Sequence, residues 1–128
     1  MKSDIQTFED IKLLIDTFYH EVQRDSLIGE IFNKSIDDWA VHLEKMYRFW
    51  QTVLLEQHTY NGNPFRAHAS LPISEAHFTN WLNLWYHTID SLFEGSKAEE
   101  AKTRGDNMAI MFISKLNYLR NSNRIPLI

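Results

Sequence analysis

The chain has 128 residues, a length that suits one compact domain with a single core, since domains commonly run about 100 to 150 residues. Its formal charge is −4, and the 13 Lys and Arg residues are scattered rather than gathered into a stripe, which argues against nucleic acid as a partner. With no cysteine the chain has no disulfide, thiolate metal site or cysteine nucleophile, while aromatic residues at 13% exceed what a bare helical bundle needs and leave room for something flat or large inside.

Met1 to Asp10 carries neither a basic region nor an apolar core, and no uncharged apolar run reaches the roughly 18 residues of a membrane span. A soluble, cytoplasmic protein without a membrane partner is expected. Thr7 followed by Asp10 reads as a helix start, and Phe8, Ile11, Leu14, Ile15, Phe18, Tyr19 and Val22 recur at helical spacing, predicting a helix over 8–24. Residues 25–37 break the pattern around Gly29 yet carry Leu27, Ile28, Ile31 and Phe32, which predicts a structured corner packed inward.

A second long helix is predicted from Asp37 or Asp38, with Trp39, His42, Leu43, Met46, Phe49, Trp50, Val53 and Leu54 along one face. The pattern fails between Glu56 and Pro72, where Tyr60-Asn61-Gly62-Asn63-Pro64 and Leu71-Pro72 are turn clusters and His68 lies between them. Ser74 is placed to cap a third helix of about 75–93 with Phe78, Trp81, Leu82, Trp85, Ile89 and Leu92 inward, ending at Gly95 as the residue beyond the cap. Ser96 with Glu99 reads as a capping box opening a fourth helix, apolar in its later half at Met108, Met111, Phe112, Leu116 and Leu119. The chain is therefore read as a single all-α domain over 1–128, with residues 121–128 loosely held.

His42 sits at the centre of an apolar stripe, either as a core histidine bonded to a backbone carbonyl or facing a bound ligand. Taken alone, His68 reads as a surface loop histidine. Tyr19 and Trp81 each bring a donor to a face that is otherwise apolar, and buried Tyr and Trp normally find a partner for it. Trp85 and Phe78 read as core aromatics.

The order and spacing of Phe18-Tyr19, Ile31-Phe32-Asn33, Trp39-x-x-His42, Phe49-Trp50, Tyr60-Asn61-Gly62-x-Pro64-x-x-x-His68, Leu71-Pro72 and Trp81 resemble the truncated haemoglobins, specifically their third group. The resemblance covers nearly the whole chain. The four glycines include no Gly-Gly pair, whereas other truncated haemoglobin groups tend to carry such pairs.

The resemblance implies a shortened globin fold, a two-over-two helical sandwich around a haem. With no cysteine for a C-x-x-C-H attachment, this would be haem b, held non-covalently. It further implies His68 as the proximal iron ligand, its second ring nitrogen donating to a nearby carbonyl, with the opposite axial position open. Tyr19, His42 and Trp81 would surround a bound diatomic such as oxygen, carbon monoxide or nitric oxide. Phe32 would wedge against the porphyrin, and Met46, Phe49, Trp50, Leu71, Phe78 and Leu116 would form apolar walls. Lys45, and after it Arg48, Tyr60 and Arg66, are candidates to meet a haem propionate.

Two or three donors around the gas imply slow release, which suits redox or detoxifying chemistry on nitric oxide or peroxide, fed by a reductase, better than oxygen carriage. Whether the chain is an enzyme, a nitric oxide dioxygenase or a peroxidase-like protein, rests on kinetics; ligand binding is the primary expectation. The alternatives are a haem-free globin-like sensor or interaction module, and a non-haem metal site from His42, His68 and Glu44. Glu44 is only two residues from His42 and falls on a different part of the helix, which disfavours the latter.

Overall fold

The structure, a computed structural model, describes residues 2–60 and 73–124, with side chains as far as Leu119. Among these residues the helices are α1 (Phe8–Arg24), α2 (Gly29–Ser35), α3 (Trp39–Leu55), α4 (Glu75–Leu92) and α5 (Ser96–Arg124). No strand occurs among the described residues. α1 packs on α3 and α4, α4 packs on α5, and α2 folds back against α1. This is the two-over-two helical sandwich implied by the resemblance.

α1 begins where the sequence predicts. Asp10 N–H donates to Thr7 Oγ1 at 3.2 Å and Thr7 N–H donates to Asp10 Oδ2 at 3.1 Å, satisfying two amides that the helix start would otherwise leave without partners. The buried face is Ile11, Leu14, Ile15, Phe18, Tyr19 and Val22, at the steps of three and four that a 3.6-residue period requires. At the far end the Asp25 carboxylate accepts from the N–H groups of Leu27 and Ile28, both at 2.9 Å, and from Asn80 Nδ2 at 2.6 Å. This turn delivers Ile28 to the core but leaves Leu27 exposed, so the corner is only partly turned inward.

Asp38 caps α3 by accepting from Val41 N–H at 3.2 Å. α4 starts at Ser74, whose N–H donates to His77 Nδ1 at 2.9 Å. Two expectations about the α4–α5 joint are corrected. α4 ends at Phe93 in an extended conformation, and Gly95 instead belongs to the start of α5, with φ +137.

The cap of α5 is not a Ser96–Glu99 box. Asp4, from the segment before α1, accepts from Lys97 N–H and Ala98 N–H, each at 2.9 Å. A Cβ on Gly95 would stand 2.5 Å from the Asp4 side chain, so the close approach needs glycine as much as the backbone angle does. The cap spans 93 and 94 residues of chain in its two bonds, and local sequence spacing cannot reveal it. With it comes Ile5, fully buried in the core. α5 then continues to Arg124, through residues 121–124 that were expected to be loose. Residues 125–128 lie outside the described residues.

The apolar interior forms two clusters. The larger joins α1, α3 and α4 with the first half of α5; the smaller holds Ile73, Phe78, Ala109, Phe112 and Leu116. Trp85 is fully buried in the larger, and Gly105 on α5 makes room for it: a Cβ there would meet the indole at 2.8 Å.

Three stability measurements follow. Gly105→Ala gains helix propensity but drives a methyl into a ring with no space to retreat, so urea denaturation should show a net loss of about 1–2 kcal/mol. Asp4→Ala and Asp25→Ala should each cost about 1–2 kcal/mol through lost caps. For both carboxyls burial acts to raise the pKa, but bonds from Lys97 and Ala98 at Asp4, and from Ile28 and Asn80 at Asp25, hold it below the ordinary range. A folded pKa below the unfolded value means the stabilisation is complete above about pH 4 and is lost as pH falls through the folded pKa. The difference in urea midpoint between wild type and either variant should be widest at neutral pH and narrow in acid.

Candidate functional site

Tyr19 is the penultimate buried residue of α1, and His42 lies one turn into α3, where its N–H donates to Asp38 O at 3.1 Å. The packing of α1 on α3 brings the two side chains together, with ring centroids 5.2 Å apart and planes at 88°. Trp39 closes the group, 5.7 Å from His42 at 89° and 5.9 Å from Tyr19. Phe32 of α2 approaches Tyr19 from its other side at 6.2 Å. His42 Nε2 is shut off from solvent within this group. Burial pushes the Tyr19 phenol well above its ordinary pKa, because a phenolate would have to give up its hydration. Tyr19 is therefore a neutral hydroxyl, able to donate, throughout the physiological range.

Trp81 is half-buried on α4 and joins the group at one remove. Phe18 stands between, in edge contact with Tyr19 at 5.0 Å and with Trp81 at 5.4 Å. Trp81 is also stacked on Trp85, 5.9 Å away with planes 14° apart. The Trp85 indole N–H donates to Ala101 O at 2.9 Å, so Trp85 is the satisfied core aromatic that the sequence suggested.

The remaining predicted wall residues divide between the clusters. Met46 and Phe49 are half-buried against the larger one. Trp50 is 2% exposed and lies 4.6 Å from Trp85, which puts it in the body of the core. Phe78 and Leu116 belong to the smaller cluster. Lys45 is exposed and makes no ion pair among the described residues. Arg48 is engaged elsewhere, donating to Glu44 and Gln51 and covering the Phe8 ring. Glu44 is thus committed on the exposed side of α3. Tyr60 is half-buried in edge contact with Phe49, 5.3 Å away, and burial raises its pKa. His68, Leu71 and Arg66 lie outside the described residues.

Periodicity missed two features. Tyr47 and Gln51 are buried on the flank of α3, one turn apart and off the apolar stripe. The Tyr47 hydroxyl donates to Asp16 across the α1–α3 junction. Gln51 joins Gln57 at 2.6 Å and Thr59 at 2.8 Å, while Thr52 Oγ1 accepts from the N–H groups of Thr59 and Tyr60. This knot holds the chain leaving α3 against its last turns. Trp39 had a place in the motif but no role. Its position three residues before His42 on one helix face was the available signal.

A family model described as bacterial-like globin matches residues 4–113. The chain is 30% identical over 121 residues to the group 3 truncated hemoglobin ctb of Campylobacter jejuni, an alignment spanning 91% of this chain and 95% of that one. The crystal structure of a group III truncated hemoglobin from Campylobacter jejuni superposes with a TM-score of 0.83 at 30% identity, over 91% of this chain and 95% of the other. The chain belongs to the bacterial-like globin family, as a truncated haemoglobin of group III.

Proposed function

We propose that this chain holds haem b non-covalently through His68, and that the haem would bind oxygen, carbon monoxide or nitric oxide beside Tyr19, His42 and Trp81. Membership of the globin family supports haem with iron and a diatomic ligand. The observation that carries the distal assignment is the burial of the Tyr19 hydroxyl beside His42 in a wall otherwise made of Phe18, Phe32 and Trp39.

The chain's other residues fit a large flat apolar group. Phe32, Met46, Phe49 and Trp81 come from three helices, pack on the core and still remain partly exposed. Surface of that kind is what a macrocycle would cover, and each apolar square ångström so covered contributes about 25 cal/mol. The absence of cysteine excludes thioether attachment, which supports non-covalent haem. Lys45, exposed on the second turn of α3, is available to a propionate at the rim.

When bound, the haem supplies the iron that takes the gas; the chain supplies the donors. A neutral Tyr19 hydroxyl would stabilise partial negative charge on the gas and so slow its release, and the Trp81 indole would add a second donor. Slow release suits turnover of nitric oxide or peroxide, with electrons from a reductase, better than oxygen carriage. No described helix is long and apolar enough to cross a membrane.

Absorption spectra of wild type and His68→Gly, each oxidised, reduced and with carbon monoxide, test the haem and its ligand. The wild type should show a Soret band that carbon monoxide shifts, and the variant should lose that behaviour and recover it with added imidazole. A wild type that takes up no haem on reconstitution would instead favour an interaction module. Tyr19→Phe should speed oxygen dissociation about tenfold to a hundredfold in stopped flow, the factor expected for one bond to a charged acceptor. Unchanged release in both Tyr19→Phe and Trp81→Phe would remove the polar distal pocket.

A further inference from the structure

We infer that Trp81, Trp85 and Trp50 form an electron relay that joins the ligand site to two tyrosine–aspartate pairs, Tyr47 with Asp16 and Tyr86 with Asp106. This rests on the proposed haem site beside Trp81 and on its turnover of peroxide.

The three indoles make a continuous path. Trp81 is stacked on Trp85, with centroids 5.9 Å apart and planes at 14°, and Trp85 lies 4.6 Å from Trp50. Trp81 at the head of the path is half-buried, while Trp85 and Trp50 are closed off from water. Indole and phenol rings give up an electron far more readily than the phenyl rings of Phe18 and Phe49 that also touch the path. A core built for packing alone is served by side chains with no polar atom, whereas Trp85 brings an N–H that Ala101 O has to match.

The path ends at phenols equipped to lose a proton with an electron. Tyr47 lies three residues before Trp50 on α3, a spacing that makes the two neighbours, and Tyr86 follows Trp85 directly on α4. The Tyr47 hydroxyl donates to Asp16 of α1, and the Tyr86 hydroxyl donates to Asp106 of α5. A phenol that loses an electron becomes a strong acid, and a carboxylate already holding its hydrogen bond takes the proton without any movement. The Trp85 N–H faces an amide carbonyl instead, too weak a base for that task, so an electron vacancy passes through Trp85 rather than settling there.

The two ends are built alike. A lysine ammonium lies over each phenol ring, Lys12 at 5.6 Å from Tyr47 and Lys102 at 5.8 Å from Tyr86, which disfavours a positively charged ring and so favours release of the proton. Burial and the bond to Asp16 raise the Tyr47 pKa, and the bond to Asp106 with burial pushes Tyr86 up to about 12, so both phenols keep their protons until they are oxidised.

The relay serves reduction of peroxide. Hydrogen peroxide takes two electrons and two protons, its O–O bond breaks and two waters leave. Each electron drawn from Trp81 is replaced from Trp85, and in turn from Tyr86 directly or from Tyr47 through Trp50. The tyrosine hands its hydroxyl proton to its aspartate. A one-electron donor in solution, of the ascorbate class, then reduces the tyrosyl, and the proton returns to the phenol oxygen. Two donors are consumed for each peroxide, and donors and solvent supply the two protons that the waters take up.

Freeze-quench electron paramagnetic resonance of the haem-loaded chain mixed with hydrogen peroxide reads where the vacancy comes to rest. Wild type should give a tyrosyl signal that ring-deuterated tyrosine narrows and ascorbate removes. Tyr47→Phe/Tyr86→Phe should lose that signal and show a tryptophanyl signal in its place. Asp16→Asn/Asp106→Asn should do the same although every ring stays where it was, an effect that a packing role would not produce. Trp85→Phe should lose most of the tyrosyl signal, and should it fail to fold, the aspartate variants decide. A tyrosyl signal that survives in Tyr47→Phe/Tyr86→Phe, or is unchanged in Asp16→Asn/Asp106→Asn, overturns the relay.

Pulse radiolysis of the full chain with azide radicals, which oxidise indoles without help from haem, separates the relay from the reading beneath it. In wild type the indolyl absorbance should decay at a rate independent of protein concentration as tyrosyl forms, and Tyr47→Phe/Tyr86→Phe should lose that decay. A wild type without it overturns the relay. Decay within the molecule but no protein radical after peroxide sustains the relay and removes the peroxide chemistry, and a wild type without a Soret band removes the haem site itself.

Discussion

Trp85 ties the long helices to one another. From α4 its ring lies 4.6 Å from Trp50 of α3, 4.9 Å from Phe18 of α1 and 5.9 Å from Trp81 on its own helix, while its N–H reaches Ala101 O on α5. An indole buried this deeply requires both a partner for its one polar atom and space for its breadth. The Ala101 carbonyl meets the first need and Gly105 the second, one turn apart on α5. Removing such a ring costs about 3–5 kcal/mol in a packed core, a large part of the stability of a chain this size. The ring contacts radiating from it are therefore constraints on helix position, and the side chains of the candidate site inherit them.

Phe18 and Tyr19 show how that inheritance works. Adjacent residues on a helix project about 100° apart. Phe18 faces the Trp81 and Trp85 rings, which leaves Tyr19 facing α2 and the first turn of α3. The anchoring residue and the donor are thus neighbours in sequence with different partners, and the angle between them is set by helix geometry. A change that lets Phe18 shift would rotate Tyr19 relative to His42 without touching either one. Trp81 is held by the same means, stacked on Trp85 and edged by Phe18, so its indole is as fixed as the core that supports it.

Much of this was legible in the sequence because most of the helices announce themselves locally. The Thr7–Asp10 box, the Asp38 cap and the Ser74 start depend on residues within one turn, and the apolar stripes of α1 and α4 repeat at the period of the helix. The candidate site was legible for a different reason: Tyr19, His42 and Trp81 are polar-tipped residues on otherwise apolar faces, and their spacing matched a family. What escaped depends on distance in the chain. Asp4 capping α5, Ile5 entering the core and the Tyr47–Asp16 bond each join segments that no local pattern relates. Leu27 is exposed although the sequence places it inward, because an apolar residue in a corner is indistinguishable from its buried neighbour Ile28 until the Asp25 turn fixes which one faces inward.

α3 carries a fixed point at each end. At its start the Asp38 cap sets the first turn, and with it Trp39 and His42. At its finish Glu56 takes a left-handed conformation, and Thr52, Gln51 and Thr59 bind the departing chain, bringing Tyr60 against Phe49. From His42 to Leu55 the helix rises about 20 Å. His42 and the point from which the chain sets out toward His68, eight residues after Tyr60, are therefore referred to a single rigid element. Gln51 makes this possible at low cost: it is buried, but both ends of its amide are bonded, so the knot adds order without leaving a polar group without a partner in the core. Hydrogen bonds of fixed direction at the end of a helix constrain the chain that follows more narrowly than apolar contacts, which tolerate sliding.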